Sequence, residues 1–156
     1  MGMNNNQKLK IVEYSEMYKD QVRDVVWKTL ADICVIDKKD LPIDDDDLSN
    51  IKEIYSGKGN FWVALDGEDV VGTVAVRDMG NNIAKLKRMF VLVEYHGSGI
   101  GKELLDCALD FAKKQGFTKI ILNTHLLMHR AHRFYEKNGF IQTDKTEEKF
   151  SYTKAL

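Results

Sequence analysis

A glycine-dense run between a β-rich segment and an amphipathic segment constrains this 156-residue chain more than any other feature. The run, HGSGIGK, spans residues 96–102. Glycines let a ligand approach the backbone, and the start of a helix presents unpaired N–H groups with a partial positive charge. The sequence therefore predicts a strand, a phosphate-binding turn and a helix, in that order.

Two common phosphate-binding patterns match this run poorly. A P-loop requires glycine where His96 stands and a hydroxyl group where Glu103 stands. A dinucleotide-binding fingerprint requires a third glycine at the position of Lys102. Both kinds of site are therefore disfavoured, and a nucleotide triphosphatase is kept only as a rival to be tested.

Hydrophobic periodicity divides the rest of the chain into strands and helices of one domain, 1–156, whose polar start at 1–7 is expected to fray. Helices are predicted over 18–36, 45–55, 101–115 and 128–138. Strands are predicted over 8–14, 60–65, 70–78, 84–93, 119–124 and, as a closing edge strand, 150–156. The second to fourth strands are expected to form an antiparallel meander.

Composition excludes several classes of function. With 23 Lys and Arg against 24 Asp and Glu, the net charge of −1 favours neither nucleic acid nor an anionic membrane as a partner. The chain has no uncharged apolar run of about 18 residues and no signal-peptide core. Its two cysteines, Cys34 and Cys107, match no disulfide framework or metal-ligand spacing. A cytoplasmic protein is expected.

The sequence around the glycine run resembles a known family. The stretch LKRMFVLVEYHGSGIGKELLDCALDFAKKQGFTKIILNT, followed by AHRFYEKNGF, is similar to the GCN5-related N-acetyltransferase (GNAT) superfamily. Gly99 and Gly101 match the family's [Arg/Gln]-x-x-Gly-x-[Gly/Ala] loop. The second motif is matched by Ala131, Tyr135, Glu136, Lys137, Gly139 and Phe140. The resemblance covers residues 60–156 well and the amino-terminal third only in outline.

This resemblance implies an α/β (α+β) fold with a mixed, mostly antiparallel central sheet, helices on both faces and a splayed strand pair, 84–93 and 119–124. It implies acetyl-CoA as acetyl donor, no metal, and direct transfer to a primary amine of a small molecule or peptide in a ternary complex. The implied cofactor-binding residues are Met89, Phe90, Val91, His96, Gly97, Ser98, Gly99, Ile100, Gly101, Lys102 and Asn123. A homodimer is left open.

A catalytic role for one residue also follows from the resemblance, and a second role rests on side-chain chemistry. Tyr135 is the general acid that the resemblance implies for the leaving thiolate, although its helical spacing alone favours a core tyrosine. His125 is the candidate general base, with Glu94 or a water near Asn123 as alternatives. Two positions depart from the family pattern: His96 replaces an arginine or glutamine of the loop, and Lys85 replaces a glutamate that binds or deprotonates the amine in many relatives.

Several charged groups have a structural as well as a functional interpretation. The acidic run 44–47 either complements a helix dipole in solvent or attracts a cationic substrate. His125, His129 and His132 have metal-compatible spacing, but a solvated polar face is favoured. Residues 85–88, with three cations, are expected to keep a strand face soluble rather than contact a CoA phosphate.

A noncatalytic acyl-CoA-binding sensor or interaction module remains the alternative function. It would use the same glycine loop without transferring the acyl group. The two departures from the family pattern, at Lys85 and His96, keep this alternative open.

Overall fold

The computed structural model of the chain describes residues 9–34, 46–125 and 128–156. The predicted frayed start at 1–7 and half of the acidic run, Asp44 and Asp45, lie outside these residues. No helix in the described ranges is long and apolar enough to cross a membrane.

One seven-stranded sheet forms the centre of the described structure. Its strands are β1 (Leu9–Glu13), β2 (Asn60–Asp66), β3 (Asp69–Asp78), β4 (Ile83–Val91), β5 (Lys119–His125), β6 (Ile141–Lys145) and β7 (Lys149–Ala155). The spatial order is β1-β2-β3-β4-β5-β7-β6, and every neighbouring pair is antiparallel except β4 and β5. The predicted meander and the mixed, mostly antiparallel sheet are confirmed.

Helices cover both faces of this sheet. They are α1 (Lys19–Cys34), α2 (Asp46–Ser49), α3 (Ile51–Ile54), α4 (Ile100–Lys114) and α5 (His129–Lys137). Alternating residues of the strands meet different helices: Phe61 and Val63 pack with α1 to α3, whereas Trp62 and Ala64 pack with α4 and α5. This period-two division of apolar side chains explains why the strands could be predicted from sequence.

Two predicted elements are wrong. The single helix over 45–55 is two short helices, α2 and α3, which are separated at Asn50 because its φ of −135° and ψ of 46° are not helical. The carboxy-terminal strand is not the edge of the sheet, since β7 lies between β5 and β6. The edge strand β6 escaped prediction because all five of its residues are exposed and show no apolar alternation.

The parallel pair β4 and β5 splays after three residue pairs. Residues 83–85 pair with 119–121, and the ladder ends there. Further along β4, Arg88 has a φ of +52°, and the register with β3 shifts between Thr73 and Ala75. This β-bulge bends β4 away from β5, as bulges do when one strand carries an extra residue. The predicted gap between the two strands is confirmed.

A buried ion pair holds the bulge. Arg88 donates from Nε and Nη2 to Oδ2 and Oδ1 of Asp47, at 2.9 and 2.6 Å, and the Tyr55 hydroxyl donates to the same carboxylate at 2.7 Å. Both charged side chains are only 11% exposed. The expectation that Arg88 keeps a strand face soluble is therefore wrong, and Asp47 is not a solvated helix-capping charge, because each neutralises the other inside the protein.

This network lowers the pKa of Asp47, which makes the stability of the fold depend on pH. Burial alone would raise the pKa of the carboxyl, but hydrogen bonds from Arg88 and Tyr55 and the guanidinium charge lower it below its usual value. A carboxyl with a lowered pKa in the folded state stabilises the fold above its unfolded pKa of about 3.9. That stabilisation is lost as the pH falls through the folded-state pKa.

We expect Asp47→Ala to lower the free energy of unfolding by about 3 kcal/mol at pH 7, because it leaves the Arg88 guanidinium buried without its carboxylate. Urea unfolding measures the loss, which should shrink below about pH 4. Asp110→Ala, at an exposed position of α4, is the matched control. Equal stability of Asp47→Ala and the control would contradict the structural role of the pair.

Candidate active site

The glycine run forms a tight turn that ends on the amino terminus of α4. After β4, a 3₁₀ turn at Val93–Tyr95 leads into Gly97 and Gly99, with φ of +84° and +89°. These left-handed conformations favour glycine, and Gly99 is the residue that caps α4. The first amides of α4 have no intrahelical acceptor and point out of the helix start. The predicted order of strand, turn and helix is confirmed.

The helix is fixed in place by its buried face. Ile100, Leu104, Leu105 and Ala108 are each at most 1% exposed and pack in the core beneath the sheet. The Ser98 hydroxyl donates to the Tyr95 carbonyl at 2.6 Å and lies 3.3 Å from the amide of Ile100, which donates to it. These contacts hold the turn rigid, so its amides are oriented before any ligand arrives.

A cavity of about 380 Å³, here called the glycine-loop cavity, lies between β4, this turn and α5. It is lined by Thr29, Met89, Phe90, Val91, Tyr95, His96, Gly97, Gly99, Gly101, Lys102, Met128, Arg130, Ala131, Phe134, Tyr135 and Lys137. Most of the residues that were predicted to bind cofactor are brought together here. Ser98 does not line the cavity, and the Ile100 side chain is buried in the core instead.

A second cavity, of about 300 Å³ and here called the strand-gap cavity, lies where β4 and β5 separate. Its lining residues are Leu30, Lys85, Leu86, Lys87, Arg88, Met89, Phe90, Leu122, Asn123, Thr124, His125, Met128, Ala131 and Tyr135. The predicted residues Asn123 and His125 therefore lie here and not at the glycine loop. Glu94 lines neither cavity and pairs with Lys28 at 3.2 Å on the surface.

The two cavities meet at Tyr135. This residue, 5% exposed, lines both of them together with Met89, Phe90, Met128 and Ala131. Its ring packs edge-on against Phe134 and Phe140, with centroids 5.5 and 5.4 Å away. Burial raises the pKa of the phenol well above its ordinary value of 10. The phenol is therefore protonated at neutral pH and can donate a proton or a hydrogen bond.

His96 makes a contact that the sequence did not predict. Its Nε2 lies 3.0 Å from the carbonyl oxygen of Val91, at the end of β4. The ring thus bridges the strand end to the glycine turn while still lining the glycine-loop cavity. The loop is braced by this side chain where the family pattern has a longer arginine or glutamine.

Sequence reasoning missed two cations and a hydroxyl group of the glycine-loop cavity. Arg130 and Lys137 are seven residues apart on α5, which places them two turns apart on the face that also carries Phe134. This seven-residue spacing was the sequence signal that could have predicted the two cations on one helix face. Thr29 continues the buried stripe of α1 after Val22 and Val26; its hydroxyl is buried and has no hydrogen-bond partner among the described residues.

The solvated face predicted for His125, His129 and His132 is wrong at His132, whereas His125 is half-buried and His129 is exposed as predicted. His132 is 6% exposed, its Nε2 lies 2.9 Å from the His125 carbonyl oxygen, and its ring centroid is 4.4 Å from that of Phe150. Burial lowers the pKa of His132. Among the described residues, no group of three or more His, Cys, Asp or Glu side chains is placed to hold a metal ion.

Comparison with known proteins agrees with this geometry. The acetyltransferase (GNAT) family model matches residues 22–140. A GNAT-family acetyltransferase from Staphylococcus aureus Mu50 has a TM-score of 0.86 and 31% identity, over 96% of this chain and 99% of that one. The PaiA N-acetyltransferase from Thermoplasma acidophilum, solved with coenzyme A, has a TM-score of 0.77 at 23% identity over 96% and 99% of the two chains, and so shares the fold.

Curated relatives include longer proteins. Probable N-acetyltransferase family 8 member 5 of Mus musculus is 35% identical over 65% of this chain and 48% of its own length. The N-acetylaspartate synthetase of Xenopus tropicalis is 38% identical over 60% of this chain and 36% of its own length. The chain thus spans about half, or less, of the length of these relatives. By the match of the family model over most of its length, the chain belongs to the GNAT acetyltransferase family.

Proposed function

We propose that this protein is an acetyl-CoA-dependent N-acetyltransferase that moves the acetyl group directly to a primary amine within a ternary complex. The observation that carries the proposal is the meeting of two cavities at one buried phenol, that of Tyr135. One cavity ends on the glycine turn and suits the donor. The other opens between β4 and β5 and suits the acceptor.

The glycine-loop cavity fits the phosphates of coenzyme A. The amides at the start of α4 and the cations Lys102, Arg130 and Lys137 are the donors that phosphate oxygens prefer. Gly101 has ordinary helical backbone, yet a Cβ there would lie 3.8 Å from Val91 Cγ2 and 4.0 Å from Phe134 Cε1, on the cavity side of the helix. Its missing side chain leaves room for a ligand against the backbone.

Backbone amides of β4 supply the polarising groups in this proposal. Past Lys85, the edge of β4 that faces β5 has no ladder partner among the described strands, because the two strands diverge. The amides of residues 89–91 on the far side of the bulge are candidates to bind the thioester carbonyl. Such preorganised donors, aimed at a developing oxyanion, lower a barrier by roughly 3–4 kcal/mol.

Proton transfer is divided between two sides of the site. An alkylamine of pKa about 10.4 is neutral at pH 7 only about once in 2,500 molecules, which adds roughly 4.6 kcal/mol to the barrier unless the site helps. His125 is our candidate to accept the amine proton, since it lines the strand-gap cavity and Glu94 does not. The C–N bond forms as the thioester carbonyl oxygen becomes an oxyanion, and the C–S bond then breaks as Tyr135 donates its proton to the leaving sulfur.

Gly101→Val tests the donor site. We expect the free protein to fold normally, because a Cβ at this position meets only ordinary contacts, and we expect the dissociation constant for acetyl-CoA to rise at least about tenfold through loss of close approach. Calorimetry measures the constant. Asp110→Val, which introduces the same side chain at an exposed position of α4 outside the cavity lining, is the control. Wild-type affinity in Gly101→Val would place the cofactor elsewhere.

Tyr135→Phe tests the acid. We expect kcat to fall by roughly 100-fold, the usual size for a general acid, with acetyl-CoA affinity nearly unchanged. Release of free thiol is the assay. Tyr152→Phe is the matched control, because it also removes a phenol, one that donates to Glu136 at 2.7 Å outside both cavities. An equal loss in both variants, or none in either, would reject the role of Tyr135.

The noncatalytic sensor makes a different prediction. It requires stabilisation by acetyl-CoA with no thiol release on any amine, whereas the enzyme requires both. A triphosphatase would require Mg²⁺-dependent ATP hydrolysis. The cytoplasm as compartment, the absence of nucleic-acid and membrane partners, and a homodimer remain predictions from sequence.

A further inference from the structure

The strand-gap cavity is lined by positive charge. Lys85, Lys87 and Arg88 all line it, and no described aspartate or glutamate does. Arg88 is paired with Asp47, and the two lysines of β4 add further positive charge to the lining. The family pattern places a glutamate where Lys85 stands, and the sign of the charge at this position is therefore reversed.

Neighbouring strands carry further cations on the same face of the sheet. Arg77 of β3 lies opposite Lys85, and Lys149 of β7 lies opposite His125 of β5, so these side chains share one face of the sheet. Burial lowers the pKa of the half-buried Lys85, and Lys87, Lys149 and Arg77 lower it further. On the same face, Asp144 lies opposite Ser151 on the outer strand β6 and is not part of the cavity lining.

A positive site discriminates between acceptors by charge. It repels a cation such as a polyamine, and it attracts a carboxylate. The same field disfavours the ammonium form of a bound amine, because a nearby like charge favours the uncharged state. An acceptor held by its carboxylate would thus present a neutral nitrogen, which is the form that attacks the thioester.

We propose that the strand-gap cavity binds acceptors that carry a carboxylate beside the primary amine, with Lys85 and Lys87 as the carboxylate-binding residues. This inference rests on the proposed transferase function and names its substrate class. Thr124 adds a hydroxyl that is buried, lines the cavity and has no hydrogen-bond partner among the described residues. The amide of Asn123, hydrogen-bonded to Ser151 Oγ at 2.9 Å, lies at the same place.

The opposite hypothesis is that the acidic run 44–47 attracts a cationic substrate, but one aspartate of that run is already paired inside the protein. The carboxylate of Asp47 points at Arg88 and Tyr55 inside the protein and is not available to a ligand. Polyamines therefore enter the experiment as the competing acceptor class.

The experiment compares amines that differ only in the carboxylate: L-amino acids against their primary amides, with spermidine as the cationic acceptor. Thiol release from acetyl-CoA gives kcat/KM for each. A carboxylate raises the pKa of a neighbouring amine, so the acid offers less free amine than the amide at the same pH. A higher kcat/KM for the acid would therefore show that the site binds the carboxylate, because it could not result from a larger fraction of neutral amine.

We expect kcat/KM to be at least about tenfold higher for the best amino acid than for its amide, the size of one charge-assisted hydrogen bond. Lys85→Met and Lys87→Met should each remove most of that preference by raising KM for the acid, with little change for the amide. Lys85→Arg should retain the preference. Lys113→Met, at an exposed position of α4, is the matched control and should behave as wild type.

A second arm separates the inference from the proposed function. Calorimetry in the presence of CoA compares binding of an N-acetyl amino acid with that of its amide. If the acid binds more tightly than the amide and Lys85→Met loses this difference, the inference is supported. If, in addition, no amine is acetylated, the proposed transferase activity is rejected while the inference stands. Equal turnover of acid and amide, or preference for spermidine, overturns the inference and leaves the transferase function standing.

Discussion

The bulge at Arg88 is the constraint on which the site depends. A non-glycine residue at φ +52° is strained by about 1–3 kcal/mol and persists only where its surroundings hold it. Here the Arg88 guanidinium donates two hydrogen bonds to the Asp47 carboxylate, and the Thr73 hydroxyl donates to the Arg88 carbonyl at 2.6 Å. Without the bulge, β4 would continue alongside β5, and neither the gap nor its free backbone edge would exist.

The ion pair between Asp47 and Arg88 connects α2 to the bulged backbone of β4, which is distant from it in sequence. Asp47 belongs to α2, on the sheet face covered by the amino-terminal helices, while residues 89–91 line the glycine-loop cavity on the other side of the bulge. A displacement of α2 would move the guanidinium, and with it the peptide that the guanidinium fixes. The geometry of residues 89–91 is thereby coupled to the position of α2.

Sequence alone predicts the elements whose side chains alternate between two cores. Strand 60–65 and helix 101–115 differ from Asn60–Asp66 and Ile100–Lys114 by one residue at their ends, since burial follows period 2 or 3.6. The same logic fails for β6, where no side chain is buried, and for Arg88, whose partner is 41 residues away in sequence. The glycine turn was predicted from its own residues and the role of Tyr135 from a family resemblance, whereas the positions of Arg130 and Lys137 needed the fold, which brings α5 against the turn.

Net charge conceals how this protein distributes its charges. The chain carries −1 overall, yet cations line both cavities: Lys102, Arg130 and Lys137 in one, and Lys85 and Lys87 in the other. In the proposed transfer, this distribution would act on both ends of the reaction. Positive potential would hold the phosphates of the donor and disfavour an ammonium ion, so that the amine would react in its neutral form. The phenol of Tyr135, kept protonated by burial, would then supply the proton to the thiolate, and this proposed mechanism does not require a carboxylate at position 85.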